Sequence, residues 1–184
     1  MADRGGVVVL VGNPRPGSRT TATAKTFAEH LAPDGATSLV ELSVIAGELL
    51  TAHHPRADRV LERVAGAGLL IVATPVYKAS YTGLLKAFFD LYGPAALRGV
   101  VAVPLVVSAS PAHQFVGEAH LRPLLVELGA SVPTGAFAVT ESQLGDLAPA
   151  LEAWTAAWGR PLAAAWGADA ATLRDDGALV GVPS

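Results

Sequence analysis

Runs of apolar residues alternate along the chain with segments whose apolar positions recur at helical spacing. Continuous aliphatic runs, at residues 7–11 and 69–73, are typical of strands that are buried on both faces of a parallel sheet. The predicted strands cover residues 6–12, 38–44, 68–74, 100–108 and 135–140. The predicted helices cover residues 18–31, 56–65, 81–92, 117–128 and 146–166. This alternation indicates consecutive βαβ units.

Connections in βαβ units are right-handed, and about five parallel strands then give a flavodoxin-like α/β fold. We expect a three-layer sandwich whose five-stranded parallel sheet has the order 2-1-3-4-5. In that order the first and third strands are neighbours, so the loops that follow them meet at one edge of the sheet. Ligands of open α/β sheets bind at this edge, and the sequence therefore predicts a site there.

The composition is typical of one domain over residues 1–184. Of these residues 51% are hydrophobic and only 16% are charged, which suits a sheet covered on both faces. The chain shows no internal repeat and no linker. The stretch from about 167 to 184 is small, polar and rich in glycine, and is predicted to be a C-terminal tail.

Charge and residue usage exclude several classes of function. The net charge is −3 and the basic residues are scattered, which argues against nucleic acid as a partner. The absence of cysteine excludes disulfides, thiolate catalysis and iron–sulfur clusters. No apolar run reaches the length of a membrane span, and the first residues do not resemble a signal peptide. We therefore expect a cytoplasmic protein without a membrane partner.

The loop after the first strand has the composition of an anion site. Its sequence is GNPRPGSRT, residues 12–20. A helix that begins near Ser18 presents unpaired N–H groups and the positive end of its dipole. Hydroxyls of Ser18 and Thr20 and the guanidinium of Arg15 or Arg19 can add hydrogen bonds to a phosphate. A simpler alternative is that Ser18 only caps the helix and the arginines are solvated.

The type of phosphate loop can be narrowed further. The segment lacks the Gly-Lys-Ser/Thr ending of a Walker A loop, and its glycines do not follow the G-x-G-x-x-G pattern. A mononucleotide phosphate held without magnesium is therefore favoured over a nucleoside triphosphate, and no metal site is predicted. The loop after the third strand, residues 74–83, looks suited to a flat organic ring, although its Lys78 could simply be exposed.

These two loops carry a family resemblance. The pattern Gly-x-x-Arg-x-x-Ser-x-Thr of the first loop and the segment TPVYKASYTGLLK, residues 74–86, resemble the NADPH-dependent FMN reductases. The most similar type serves alkanesulfonate monooxygenases in two-component systems. The likeness extends to about Gln143 through residues that are scattered along the chain: Asp90, Gly99, Ala112, His113, Leu121, Pro123 and Ser142.

The resemblance implies an FMN-binding flavodoxin-like domain. Arg15, Ser18 and Thr20 would hold the FMN phosphate, helped by Asn13 and Arg19 in the same loop. The isoalloxazine ring would lie against Pro75, Val76 and Tyr77, with Lys78 at its edge or at a cofactor phosphate. The family also implies NADPH or NADH as the second cofactor, a flavin-dependent monooxygenase as partner, and a homodimer or homotetramer.

The chain departs from the family pattern at three places. Asn13 stands where the family usually has serine, and its amide can still donate to phosphate. Ser108, Ala109 and Ser110 replace a Gly-Gly-Thr type of turn near the flavin, which adds a Cβ beside the ring. Ala119 stands where sulfonate-system members place an aromatic that distorts the helix and affects assembly.

No carboxylate pair or Ser/His/Asp set stands out, and no side chain is predicted to be catalytic. Hydride transfer between stacked cofactor rings needs no titrating side chain, so an NAD(P)H-dependent FMN reductase is the main prediction. One alternative is an enzyme of the same fold that retains FMN and reduces a quinone, an azo compound or a metal oxyanion. Another is a flavodoxin-like electron carrier or flavin-binding module.

Overall fold

Five parallel strands form one sheet in the computed structural model, which describes residues 6–33 and 35–167. The strands are β1 (Val7–Val11), β2 (Thr37–Glu41), β3 (Leu69–Pro75), β4 (Val101–Ser108) and β5 (Phe137–Thr140). Their order is β2-β1-β3-β4-β5, which confirms the predicted flavodoxin-like topology. Val11 pairs with Ala73 on one side and with Glu41 on the other, so the carboxyl ends of β1, β2 and β3 lie at the same edge.

Helices cover both faces of the sheet. They are α1 (Arg19–Leu31), α2 (Pro55–Ala65), α3 (Gly83–Phe89), α4 (Arg122–Glu127) and α5 (Ala148–Trp166). Alternate residues of the buried strands belong to two different clusters: Val9 packs toward α1 and α5, whereas Leu10 packs toward α2, α3 and α4. This double burial explains why the strands are continuous aliphatic runs.

An aromatic cluster packs α1 and α5 against one face of the sheet. The Phe27 ring stacks on Phe137 with centroids 4.5 Å apart and meets Trp154 edge-on at 4.9 Å. The Trp154 indole also donates a hydrogen bond of 3.0 Å to the Gly135 carbonyl oxygen. These contacts bury three large rings and hold the helix that begins at the first loop.

Two predicted elements have different bounds in the structure, and a third is divided. The second strand ends at Glu41 rather than at residue 44, and a 3₁₀-helix, Leu42–Glu48, follows it. Leu42 and Ile45 are both buried, and a spacing of three residues puts them on one side of a 3₁₀-helix. The helix predicted over residues 81–92 is shorter at both ends: Thr82 is its N-cap, so that it begins at Gly83, and it ends at Phe89.

The helix predicted over residues 117–128 is divided. Gly117–Leu121 is a π-helix and continues into α4. A Cβ on Gly117 would lie only 2.4 Å from the Cβ of Ala136, so the chain passes very close to the loop before β5 at this point. The π-helix forms here even though Ala119 is not aromatic.

The C-terminal tail predicted for residues 167–184 lies outside the described residues except for Gly167, which ends α5 in a left-handed conformation with φ of 70°. Within residues 6–33 and 35–167, no helix combines the length and the apolar character needed to cross a membrane.

Candidate functional site

The first loop places unpaired backbone donors at the start of α1. Ser18 is the N-cap, and its hydroxyl accepts a hydrogen bond of 3.2 Å from the Thr21 N–H. The N–H groups of Ser18, Arg19 and Thr20 have no acceptor among residues 6–33 and 35–167. These are the orphan donors of a helix N-terminus, and they favour an anion.

Asn13 and Thr20 brace this loop from within. The buried Asn13 amide donates to the Thr20 hydroxyl at 3.2 Å, and its oxygen accepts from the Arg15 N–H at 2.9 Å. One amide proton and the side-chain oxygen of Asn13 are therefore engaged in hydrogen bonds within the loop. The Thr20 hydroxyl accepts this bond, and its own proton has no acceptor in the described part of the chain.

The two arginines of the loop have different environments. Arg19 donates to a Glu141 carboxylate oxygen at 2.7 Å, just beyond the end of β5. Arg15 is exposed and forms no ion pair with any residue in the ranges 6–33 and 35–167. Arg15 is therefore the cation of this loop that is free to meet a phosphate.

Glu41 also contacts the first loop, and the sequence did not predict this. Its Oε1 atom accepts from the Gly17 N–H at 2.8 Å and from the Thr21 hydroxyl at 2.6 Å. The predicted strand 38–44 placed Glu41 inside a strand, whereas it is the last residue of β2. Topology was the available signal, because β2 lies next to β1 in the predicted order.

The second loop contains a tight two-residue turn after β3. Tyr77 and Ser80 exchange two backbone hydrogen bonds, of 2.9 and 3.1 Å. Between them Lys78 and Ala79 have φ of 51° and 60°, as in a type I′ turn. Side chains with a Cβ rarely adopt these angles, and such strain is common at binding sites. The turn leaves 44% of Tyr77 exposed.

Thr82 joins the two loops. Its hydroxyl donates to the Gly12 carbonyl oxygen and accepts from the Leu85 N–H at 3.1 Å, which caps α3. A Cβ on Gly12 would lie 2.7 Å from the Cβ of Leu85, so glycine is needed where β1 passes α3. The Val76 N–H also donates to the Val107 carbonyl oxygen at 3.2 Å, which ties the second loop to β4.

The third predicted segment lies at the end of β4. Ser108 is buried, and its hydroxyl donates to the Ser110 carbonyl oxygen at 2.9 Å. The Ser110 hydroxyl accepts from the Ala112 N–H at 3.3 Å. Both hydroxyls therefore stabilise their own turn, while Ala109 is exposed. The ends of β1, β3 and β4 thus lie side by side at the edge where the sequence placed the site.

Comparison with known proteins identifies this arrangement. The profile of the family described as NADPH-dependent FMN reductase matches residues 6–143. The chain belongs to this family. The match includes both loops, the turn after β4 and the π-helix, and it confirms the resemblance, the oxidoreductase class and the flavin and nicotinamide cofactors expected from it.

Individual relatives agree with the family assignment. An FMN reductase (NADPH) of Escherichia coli K12 is 37% identical in a 145-residue alignment that covers 76% of this chain and 75% of the relative. The NADH-dependent FMN reductase SfnE of Pseudomonas putida is 37% identical in a 150-residue alignment that covers 76% of this chain and 79% of the relative. The apo structure of an NADH:FMN oxidoreductase, EMOB, superposes with a TM-score of 0.67 at 29% identity, covering 93% of this chain and 91% of its own.

The π-helix of this family member contacts the second loop. The His120 Nδ1 atom lies 3.0 Å from the Ser80 hydroxyl, and the Phe115 ring meets the imidazole edge-on with centroids 5.7 Å apart. The imidazole thus links the π-helix to the strained turn. Neither Ser80 nor His120 was among the predicted site residues, because their contact depends on the fold.

An ion pair anchors the same π-helix to the loop before β5. Burial alone would raise the pKa of Glu118, but hydrogen bonds from Arg122 and from the Ala136 N–H outweigh it and hold the pKa below its ordinary value. Arg122 also donates to the carbonyl oxygens of Val132 and Thr134. In the part of the chain that the structure describes, no cluster of three His, Asp or Glu side chains is placed to hold a metal ion.

Proposed function

We propose that this protein is an NAD(P)H:FMN oxidoreductase that reduces FMN and supplies it to a flavin-dependent monooxygenase. The observation that carries the proposal lies at the start of α1, where three N–H groups and the Arg15 guanidinium have no partner among residues 6–33 and 35–167. A phosphate monoester satisfies these donors without a metal.

The residues of the first loop fit the FMN phosphate. Arg15 would supply charge and Thr20 a hydroxyl contact, while Ser18 would contribute its N–H, because its hydroxyl proton is directed at the Thr21 hydroxyl oxygen, whose own proton goes to Glu41. Gly17 has φ of 61°, and a Cβ built on it meets nothing within 4 Å, so the loop is open to solvent at this turn. Asn13 would act by bracing Thr20, and Arg19 by a weaker, longer-range attraction because Glu141 engages it.

The second and third loops fit a flat ring. Pro75, Val76 and Tyr77 would contact one face of the isoalloxazine, with Lys78 at its edge. The segment Ser108–Ser110 would lie beside the same ring, presenting Ala109 and backbone because the two serine hydroxyls are used internally.

FMN, when bound, supplies the hydride-accepting chemistry. The side chains therefore need only to bind and orient the two cofactors, and none is required as acid or base. The hydride donor is NADPH or NADH. The Escherichia coli relative is named for NADPH and the Pseudomonas putida relative for NADH.

A partner protein is part of the same proposal. The likeness to reductases of two-component systems supports a separate monooxygenase in the cytoplasm as the acceptor of reduced FMN. We also propose that residues 1–184 form one domain and that the protein assembles as a homodimer or homotetramer, because partly exposed apolar residues remain on α3 and α4, for example Leu84 and Leu124.

The test is anaerobic oxidation of NADPH and of NADH by the desalted protein, with and without an excess of free FMN. Bleaching of many equivalents of FMN supports a reductase that releases its product. Reduction of a single retained equivalent, followed by rapid transfer to a quinone or azo dye, would instead favour a flavin-retaining enzyme. Absence of reduction with both nucleotides would contradict the reductase assignment and favour an electron carrier or binding module.

A further inference from the structure

Glu41 places a negative charge at the proposed phosphate loop. Because Glu41 pairs with Val11 across the sheet, its side chain is presented beside the loop that follows β1. A single oxygen, Oε1, accepts from both the Gly17 N–H at 2.8 Å and the Thr21 hydroxyl at 2.6 Å. The carboxylate thus sits at the positive end of α1 together with any anion that the loop binds.

This contact is not needed to cap α1. Ser18 is already the N-cap and accepts from the Thr21 N–H. The Thr21 hydroxyl, which donates to Glu41, lies 3.0 Å from the Ser18 hydroxyl, so the carboxylate is one contact away from a proposed phosphate ligand. Within residues 6–33 and 35–167, no lysine, arginine or histidine forms an ion pair with Glu41.

The charges around the loop therefore oppose one another. Arg15 is free to attract a phosphate, Arg19 is engaged by Glu141, and Glu41 carries a negative charge that no cationic side chain among residues 6–33 and 35–167 pairs with. An FMN phosphate carries more than one negative charge at neutral pH, so a carboxylate at the same helix end repels it.

We propose that Glu41 limits the affinity of the loop for the FMN phosphate and so speeds the exchange of FMN. This inference rests on the proposed function, in which FMN enters and leaves as a substrate. Glu41 holds the loop through two hydrogen bonds and weakens phosphate binding through its charge. A residue that only shaped the loop would not need the charge.

The substitution Glu41→Gln separates these two roles. The glutamine amide oxygen accepts from the Gly17 N–H and the Thr21 hydroxyl as the carboxylate does, but it carries no charge. Glu48→Gln is the control, because the Glu48 carboxylate also accepts two hydrogen bonds through one oxygen, here from the N–H groups of Arg56 and Ala57 at the start of α2.

The measurement is the dissociation constant of FMN and of riboflavin, by flavin fluorescence titration, for the full chain and both variants. Glu41→Gln is expected to bind FMN about tenfold more tightly, because one repulsive charge is removed, and to release it correspondingly more slowly. Riboflavin binding should change by less than about twofold, since it has no phosphate, and the FMN gain should shrink at high salt. Glu48→Gln should leave both constants unchanged.

Two results would overturn the inference. One is that Glu41→Gln leaves the dissociation constant of FMN unchanged or raises it, and the other is that it lowers the dissociation constants of FMN and riboflavin equally. These results leave the proposed function intact as long as the reductase bleaches free FMN. Failure of the proposed function has a separate signature, the absence of NADPH and NADH oxidation with FMN by the unmodified protein. Tighter FMN binding by Glu41→Gln would still support the charge effect in that case.

Discussion

His120 and Ser80 are 40 residues apart in sequence, yet the imidazole Nδ1 lies 3.0 Å from the serine hydroxyl. This contact fixes the position of the strained turn that is proposed to face the flavin ring. Because the π-helix carries His120, the fold joins two segments that depart from regular geometry at one point of the site. Such departures are common where a ligand binds.

Removal of the imidazole should therefore loosen the ring contact and leave the phosphate contact intact. His120→Ala is expected to weaken FMN and riboflavin binding equally, by about threefold to tenfold, the range of one lost hydrogen bond. His120→Gln, which can keep a bond to Ser80, should retain most of the affinity. Flavin fluorescence titrations measure both constants, and the exposed His53→Ala is the control. A loss confined to FMN would contradict this placement.

The two arginines of the first loop should differ in their effect on FMN. Arg15→Ala combined with Ser18→Ala is expected to weaken FMN binding by about tenfold to a hundredfold, because charge-assisted bonds to phosphate are lost. Riboflavin binding should be nearly unchanged. Arg19→Ala combined with the same Ser18→Ala exchange is the matched comparison and should weaken FMN binding much less, since Glu141 engages the Arg19 side chain. Equal losses for FMN and riboflavin would refute the phosphate assignment.

The turn at Lys78 and Ala79 stores backbone strain that glycine would relieve. Ala79 has φ of 60°, and Ala79→Gly is expected to raise the free energy of unfolding by about 0.5–1 kcal/mol. The same exchange at Ala22, an exposed position in α1, should lower it by about 1 kcal/mol. Thermal unfolding of the two variants measures both values. Destabilisation by Ala79→Gly would show that the turn is not strained.

Gly12 is needed because β1 and α3 approach each other closely. A Cβ there would lie 2.7 Å from the Cβ of Leu85, so Gly12→Ala is expected to destabilise the protein by about 1–3 kcal/mol. Gly83→Ala is the control, because a Cβ at this first residue of α3 meets nothing within 4 Å. That variant should be neutral or slightly stabilising in the same denaturant titration. Equal stability of the two variants would contradict the close approach.

The Glu118–Arg122 ion pair makes the stability of the π-helix depend on pH. The pKa of Glu118 is lower in the folded state than its ordinary value. The stability that its ionised carboxylate contributes is therefore complete above about pH 4.3 and is lost as the pH falls through the folded-state pKa. The side chain is 49% exposed, and the effect should stay below about 1 kcal/mol.

The measurement is the midpoint of thermal unfolding between pH 7 and pH 3. Glu118→Gln should lose less stability over this range than the unmodified protein. Glu152→Gln, which removes an exposed carboxylate from α5, should follow the unmodified protein. An identical acid dependence of Glu118→Gln and the unmodified protein would mean that the Arg122 pair does not stabilise the folded state.

Much of the fold was predictable because its signals are local. The aliphatic runs of β1, β3 and β4 predict buried parallel strands, and their alternation with helical segments predicts the order β2-β1-β3-β4-β5. The prediction of a phosphate site in the first loop also rests on local signals, because Ser18 as an N-cap and the neighbouring arginine are visible in a short stretch of sequence. The prediction failed in the second strand, where the period of two that would define a strand gives way to the three-residue spacing of Leu42 and Ile45.

The sequence by itself determined the sheet, its order, the family and the two loops that meet at the carboxyl ends of β1 and β3. Only the tertiary structure decided which side chains are free to act there. It pairs Arg19 with Glu141, commits Asn13 to Thr20, and brings Glu41 to the Gly17 N–H and His120 to Ser80. The physical reason is that a strand or a helix start depends on neighbouring residues, whereas a charge or a hydrogen bond is satisfied by whatever the fold brings near it.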